Sequence, residues 1–420
     1  MILLPYGKQT ISLNLCNYSY FVIQPRYHTV QKNETYLVKQ AFSSEKFKKL
    51  GRFFFRKSIG VAINDPTRPV PHSKLLGILI DFLKKNQADP ERICFYIATG
   101  THKPLSKKEI YEYLPEFVWK NYKIYSHNCD NPESLEYLGR TKRGTSVFVN
   151  KGFWQTDIKI VVGNIEPHHF MGYSGGVKSA AIGLAGRETI RQNHSMLSNP
   201  KARMGLYKSN PMRMDVEEIG RMIGVNYALN AVMNNRKEII DCFWGNPADV
   251  MEQGIKTVQR EMLLDDTNLI HNFDIVIASA GGYPKDINLY QAQKAITHAC
   301  FFAKKGAPII LVAECSRGSG SERFEKYIHK RNSFVEVLED FCSQEFEIGP
   351  HKAYQLAKQG INHPIYLFSN MPEDEVRKFF IAPVGNLGNL IEELTNHSKG
   401  NPEIAVLPYA THTLPKIIEA

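Results

Sequence analysis

Residues 58–71 read SIGVAINDPTRPVP, an apolar run that stops abruptly at a polar turn rich in proline. Branched residues bounded by Asn, Asp and Pro predict a strand buried on both faces. The next stretch changes period. In SKLLGILIDFLKKN, Leu75, Leu76, Ile78, Leu79, Phe82 and Leu83 recur at three- and four-residue steps, which predicts a helix. The pairing then repeats. ERICFYIATGTHKPLS is a strand running into a loop, SKKEIYEYL a helix with Ser106 at its N-cap, and DIKIVVGNIEPHH a third strand. Buried strands alternating with helices imply a mostly parallel sheet.

The pattern restarts at NFDIVIASAGGYP, with INLYQAQKAITHACFFA as a helix and APIILVAEC as a strand. FVEVLEDFC, KAYQLAKQG, PIYLFSN and EIAVLPY carry the alternation to the end. The expected fold class is therefore α/β: two α/β domains with mostly parallel sheets, residues 1–268 and 269–420, and an active-site cleft between them.

Composition narrows the function. Of 420 residues, 43% are hydrophobic and 22% charged, the balance of an ordinary globular protein. Nothing approaches the ~18 consecutive apolar residues of a membrane span. Pro5 and Gly7 break the apolar start, and no basic segment precedes it, so no signal peptide is expected. The seven cysteines are scattered without a C-x-x-C pair, which suits the cytoplasm and argues against a disulfide framework or a zinc ribbon. The net charge of +10 invites a nucleic-acid reading, but the basic residues are spread along the chain without a recognition motif. A diffuse positive field equally suits a small anionic substrate or a phosphorylated cofactor. Neither nucleic acid nor membrane is an expected partner.

In open α/β sheets, ligands gather at the carboxyl ends of strands. Four loops there hold unusual residues: DPTRP with Asp65, Thr67 and Arg68; ATGTHKP with His102; EPHHFMGYSGGVKS with His168, His169 and Lys178; and GGYPKDINLYQAQK with Tyr290, Gln291 and Lys294. Each has a plain structural reading. Asp65 could cap a helix, and Arg68 could be a surface residue, although an arginine fork is also the preferred clamp for a carboxylate. His102 could bond a loop carbonyl. His168 and His169 should point to opposite faces of an extended stretch. Gly175 and Gly176 would let the backbone approach an anion closely. Lys178 could be a phosphate contact, or a nucleophile if desolvation lowers its pKa. His194, after the helical RETIRQN, reads as a polar helix end or a metal ligand. Tyr290, Gln291 and Lys294, at i, i+1 and i+4, could be a solvated helix start.

From the residues alone, two acid/base histidines beside an arginine and a lysine suggest proton transfer next to the α-carbon of an acid. There is no G-x-S-x-G elbow, no H-E-x-x-H and no G-x-G-x-x-G after the first strand, so common hydrolases and Rossmann dehydrogenases fit poorly.

Taken together in this order, DPTRP, ATGTHKP, EPHHFMGYSGGVKS, ETIRQNH and GGYPKDINLYQAQK resemble the lactate racemase family that uses the nickel-pincer nucleotide. The likeness runs through roughly residues 60–300. It implies that Lys178 carries the nucleotide covalently and that His194 ligates the nickel. It implies His102 and His168 as the acid/base pair, and Arg68, Tyr290, Gln291 and Lys294 as substrate contacts. Asp65, Thr67, Ser174, Gly175 and Gly176 become cofactor contacts. The implied reaction inverts C2 of a small anionic 2-hydroxy acid: one histidine takes the hydroxyl proton and the α-hydrogen leaves as hydride. The transient 2-keto acid then turns its carbonyl face, receives the hydride from the other side and takes a proton from the second histidine. Cofactor-maturation proteins are the implied partners.

Two departures bear on substrate. Val177 stands where lactate-type members carry arginine, and GPHKAYQLAKQG replaces a tryptophan-containing segment. His351 and Lys352 there suit a substrate longer or more hydrophilic than lactate, such as a sugar acid. Two rival readings are an inactive carboxylate-binding member, and a metal-dependent hydrolase or lyase using His168, His169 and His194.

Overall fold

The computed structural model describes residues 1–25, 33–44, 52–68, 70–234, 236–344, 346–347, 349–398 and 400–416. The chain forms two compact units, one spanning Tyr27–Glu261, the other joining Met1–Arg26 to Met262–Lys416. Both are α/β with mostly parallel sheets.

In the first unit a six-stranded sheet runs in the order Ile239–Gly245, Tyr227–Met233, Ile158–Asn164, Ile59–Asn64, Ile93–Ala98, Lys123–Ser126. All neighbours are parallel except the first pair. SIGVAI is its centre: Ile59, Val61, Ala62 and Ile63 are fully buried, as expected of a strand covered on both faces. The helix His72–Lys85 follows, burying Leu75, Leu76, Leu79 and Leu83. Ser106 caps Lys107–Tyr113 with a full capping box, its hydroxyl accepting from the Glu109 amide and Glu109 accepting from the Ser106 amide.

Register decides where the chemistry collects. Asn64 pairs with Ala98, and Ala231 with Asn164. The loops that open at Asp65, Thr99 and Ile165 thus leave the same carboxyl edge of one sheet.

The second unit has a six-stranded, all-parallel sheet in the order Ala382–Pro383, Ile365–Phe368, Ile309–Val312, Ile275–Ser279, Glu403–Leu407, Ser19–Val22. The last pairing corrects the expected boundary: Ser19–Val22 hydrogen-bonds along Glu403–Val406, so the N-terminal residues belong with the C-terminal sheet rather than with a 1–268 domain. A second difference concerns INLYQAQKAITHACFFA. It forms two short helices, Leu289–Ala292 and Lys294–Ala299, divided at Gln293. Among the described residues, no helix is long and apolar enough to cross a membrane.

Candidate active site

Asp65 is the first residue beyond Asn64 and is almost fully buried. Its Oδ2 lies 2.6 Å from His102 Nδ1, and its Oδ1 accepts from the Thr67 hydroxyl at 2.7 Å. Neither plain reading holds here, since Asp65 caps no helix and His102 addresses a carboxylate rather than a carbonyl. The ATG loop is held independently: Gly100 N–H donates to the Gly183 carbonyl, and the buried Thr99 hydroxyl to that of His127. With a carboxylate accepting at Nδ1, the imidazole proton resides there and the lone pair is on Nε2. The ring is about half exposed while its partner is not.

His168 sits in a two-residue hairpin, Pro167–His168 against Gly172–Tyr173. It is buried, and His169 is partly so. Burial holds the His168 imidazole well below its ordinary pKa, and the nearby Lys178, Arg68, His169 and His194 push it the same way. The Met171 N–H donates to its Nδ1 at 3.3 Å. Phe170 bridges the two rings, with centroids 4.6 Å from His168 and 5.5 Å from His194.

The glycine turn is set by backbone demand. Gly175 and Gly176 have φ of 93° and 58°, where a side chain is strained. A Cβ at Gly175 would lie 2.7 Å from Ile165, and one at Gly176 2.6 Å from Met251. The space saved is therefore filled by protein. The Ser174 amide donates to the Glu166 carbonyl, and the Gly176 amide to Asn230 Oδ1 at 2.6 Å. Asn230 thereby ties the turn to its strand. Asn64 does the same from the far side of Ile158–Asn164 by accepting from the Ser179 hydroxyl at 2.7 Å.

Lys178 opens the helix Lys178–Ala181. Crowding by protein holds its amine well below the ordinary lysine value, reinforced by Arg68 and Arg213 and opposed by Glu166. Sequence reasoning missed Arg213. It is fully buried in Pro211–Ile223, donates to the carbonyls of Tyr173 and Gly175 at 3.1 Å each, and pairs with Glu217. Val177 packs on the same helix, where a Cβ on Gly220 would lie 2.5 Å from it.

His194 lies in the last turn of Arg187–Ser195 rather than beyond the helix. Its Nδ1 donates to the Ile190 carbonyl at 2.9 Å, so the lone pair is on Nε2. Burial and Lys178 push its pKa down to about 4, keeping it neutral at ordinary pH. The helix is anchored at Asn193, which donates to the fully buried Asp215; Thr141 and Thr145 donate to the same carboxylate. Among the described residues, no group of three or more His, Cys, Asp or Glu is placed to hold a metal ion.

In the other unit, Lys294 Nζ donates to Gln291 Oε1 at 2.6 Å across the helix break. Tyr290 packs edge-on to His351, centroids 6.3 Å apart, and the Lys352 ammonium lies 5.2 Å from its ring centre.

An α/β protein that gathers a desolvated lysine of lowered pKa, an arginine and three histidines at one sheet edge is equipped for acid–base chemistry on a small anion. Comparison with known proteins makes the class specific. Residues 6–205 match the lactate racemase N-terminal domain and residues 270–412 the lactate racemase C-terminal domain. Lactate racemase from Thermoanaerobacterium thermosaccharolyticum is 30% identical over 360 residues, covering 84% of this chain and 83% of that protein. The lactate racemase of Lactiplantibacillus plantarum is 32% identical over 330 residues, 76% of each. The apoprotein structure from T. thermosaccharolyticum superposes with a TM-score of 0.89 at 28% identity, covering 99% of both chains. A Thermotoga maritima structure at 17% identity and a TM-score of 0.63 shares the fold. The chain belongs to the lactate racemase family, and it is an isomerase.

Proposed function

We propose that this protein inverts C2 of a 2-hydroxy acid using a nickel-pincer nucleotide tethered to Lys178, the substrate being longer or more hydrophilic than lactate, such as a sugar acid. The observation that carries this reading is the Lys178–His194 pair: a desolvated amine and a neutral imidazole with its lone pair on Nε2, within electrostatic reach of each other. An amine of lowered pKa reaches its nucleophilic, unprotonated form more readily, and a neutral imidazole is a normal ligand for nickel. Arg68, Lys178 and Arg213 also make the surroundings favourable for a phosphorylated group. Lys178 would hold the nucleotide and His194 the nickel. Thr67 and the Ser174, Gly175 and Gly176 turn would face the cofactor, while Asp65 reads better as the partner of His102. When bound, the group would supply a two-electron acceptor for the α-hydrogen.

The protein's own part is to move a proton and hold a carboxylate. His102 can accept the substrate hydroxyl proton at Nε2, and the imidazolium that forms is an ion pair with Asp65. His168 can accept one equally well, being neutral, but releases it readily because cations surround it. In one direction His102 takes the hydroxyl proton and a protonated His168 returns one to the inverted product; in the other direction the roles exchange. Inversion requires two such groups, and the two are not equivalent. Arg68, Tyr290, Gln291 and Lys294 are proposed as substrate contacts.

The test is an intact mass of the chain co-produced with nickel and the cofactor-maturation proteins, followed by peptide mapping. A nucleotide-sized adduct on the Lys178 peptide, absent in Lys178→Ala, is the expected result. An unmodified mass beside a family member loaded in parallel overturns the cofactor assignment. A loaded chain that inverts no chiral 2-hydroxy acid would instead favour a carboxylate-binding role.

A further inference from the structure

Lys352 is the third residue after Gly349, in the helix Pro350–Gly360, and only 6% of its surface is exposed. Lysine is almost never buried to this degree without a partner, because an unpaired ammonium loses its hydration. Among the described residues no carboxylate pairs with the Lys352 ammonium and no side-chain hydrogen bond reaches it. What it does have is the face of Tyr290, 5.2 Å from ring centre to Nζ. A cation over an aromatic face recovers only part of the lost hydration.

The surroundings add positive charge. Lys294 lies close enough to oppose protonation of Lys352, and with burial it brings that ammonium down to about 7. Lys285 and Lys294 act in the same sense on the buried His298. His351 accepts from the Gly349 N–H at Nδ1, which places its own proton on Nε2. Tyr290, Gln291, Lys294, His351 and Lys352 thus form one cluster within a single unit, with two ammonium groups and no acid among the groups that shift Lys352.

We propose that Lys294 and Lys352 form a two-anion subsite, so that the substrate is a 2-hydroxy acid carrying a second anionic group. This rests on the reading that Lys294 receives the substrate carboxylate. The second group is then what Lys352 is built to meet. A single anion would satisfy Lys294 and leave the buried Lys352 uncompensated, whereas a dianion neutralises both. Lys352 takes a full proton when the anion arrives, since an opposite charge favours the charged form. A hydroxy dicarboxylate such as malate or tartrate, the smallest sugar diacid, fits this description, as does a hydroxy acid bearing a phosphate ester. Lactate and neutral-tailed sugar acids do not.

Binding is measured by calorimetry on the loaded enzyme with malate, 3-phosphoglycerate, lactate and gluconate, in wild type, Lys352→Met and Lys352→Arg. The expected result is at least about tenfold tighter binding of one dianion than of lactate or gluconate, the size of one well-placed charge contact. Lys352→Met removes that preference by weakening dianion binding far more than lactate binding, and Lys352→Arg keeps most of it. Preference for malate assigns a carboxylate, and preference for 3-phosphoglycerate a phosphate. Equal binding of mono- and dianions by wild type overturns the subsite, as does a preference that survives in Lys352→Met. Turnover is scored separately: a dianion preference without inversion of any compound leaves the subsite standing and sinks the racemase reading.

Discussion

Asp65 Oδ2 lies 2.6 Å from His102 Nδ1, a buried carboxylate gripping a half-exposed imidazole. The grip fixes which nitrogen faces away and provides the counter-charge when that nitrogen is protonated. Asp65→Asn keeps the shape and removes the charge. The expected loss in kcat is about 10–100-fold, the range for a partner that orients a reacting histidine. Substitution cannot alter the equilibrium constant between the two epimers, so kcat/KM falls equally in both directions. Any asymmetry is confined to kcat and KM taken separately, and initial rates from each epimer measure it. An unchanged kcat in both directions would mean that Asp65 serves only the fold.

Arg213 has a quite different kind of importance. Its guanidinium is fully enclosed and holds two carbonyls of the turn leading to Lys178, together with Glu217. Arg213→Met is expected to destabilise the protein by about 3–5 kcal/mol, because the partners remain buried without their donor. Arg213→Lys retains the charge but not the planar fork, and should fall between. Urea unfolding of the apo chains gives both values. A midpoint for the methionine variant equal to wild type would remove Arg213 from the scaffold of the turn.

How much of this was legible in the sequence follows from what kind of signal each feature leaves. SIGVAI and DIKIVVG announced themselves, because a strand buried on both faces must be apolar throughout and must end in turn residues. Lys178, His168 and His102 stood out as titratable groups in small-residue loops at strand ends. Arg213 did not, since in PMRMDVEEIGRMI a charged residue at helical spacing reads as a solvated face. Its partners are backbone carbonyls, which have no side-chain signature. The break at Gln293 was equally silent, as Leu289, Ala292, Ile296 and Ala299 keep their apolar spacing straight through it. The strand Ser19–Val22 was hidden for another reason: its pairing partner lies nearly four hundred residues along the chain.

Buried neutral histidines make the fold sensitive to acid. His72 in the first unit and His298 in the second are each about 4% exposed or less, and burial pushes both down to about 4. Unfolded, each has a pKa near ~6.5 and binds a proton that the folded form refuses. The unfolded state therefore holds more protons between these values, and stability rises with pH across that window. Stability is complete above about 6.5 and drains as pH falls toward 4, at up to about 1.4 kcal/mol per pH unit for each histidine. Denaturant titrations between pH 4 and 7 should show this slope, reduced by one histidine's share in His72→Phe. A flat profile would mean that these rings are charged within the fold.

His194 offers a separation that activity alone cannot give. If Lys178 holds the nucleotide and His194 only the metal, the two functions come apart by substitution. His194→Ala should keep the adduct mass on the Lys178 peptide while nickel per chain, measured by elemental analysis, falls more than about tenfold. Asn193→Ala probes the support one residue away, because Asn193 ties the helix to the buried Asp215. Freeing that end of the helix loosens the orientation of Nε2 without touching the ligand, so nickel affinity should drop by about 10–100-fold with the adduct intact. Loss of the adduct in His194→Ala would show instead that metal and nucleotide are taken up as one unit. Full nickel content in that variant would move the ligand to another residue.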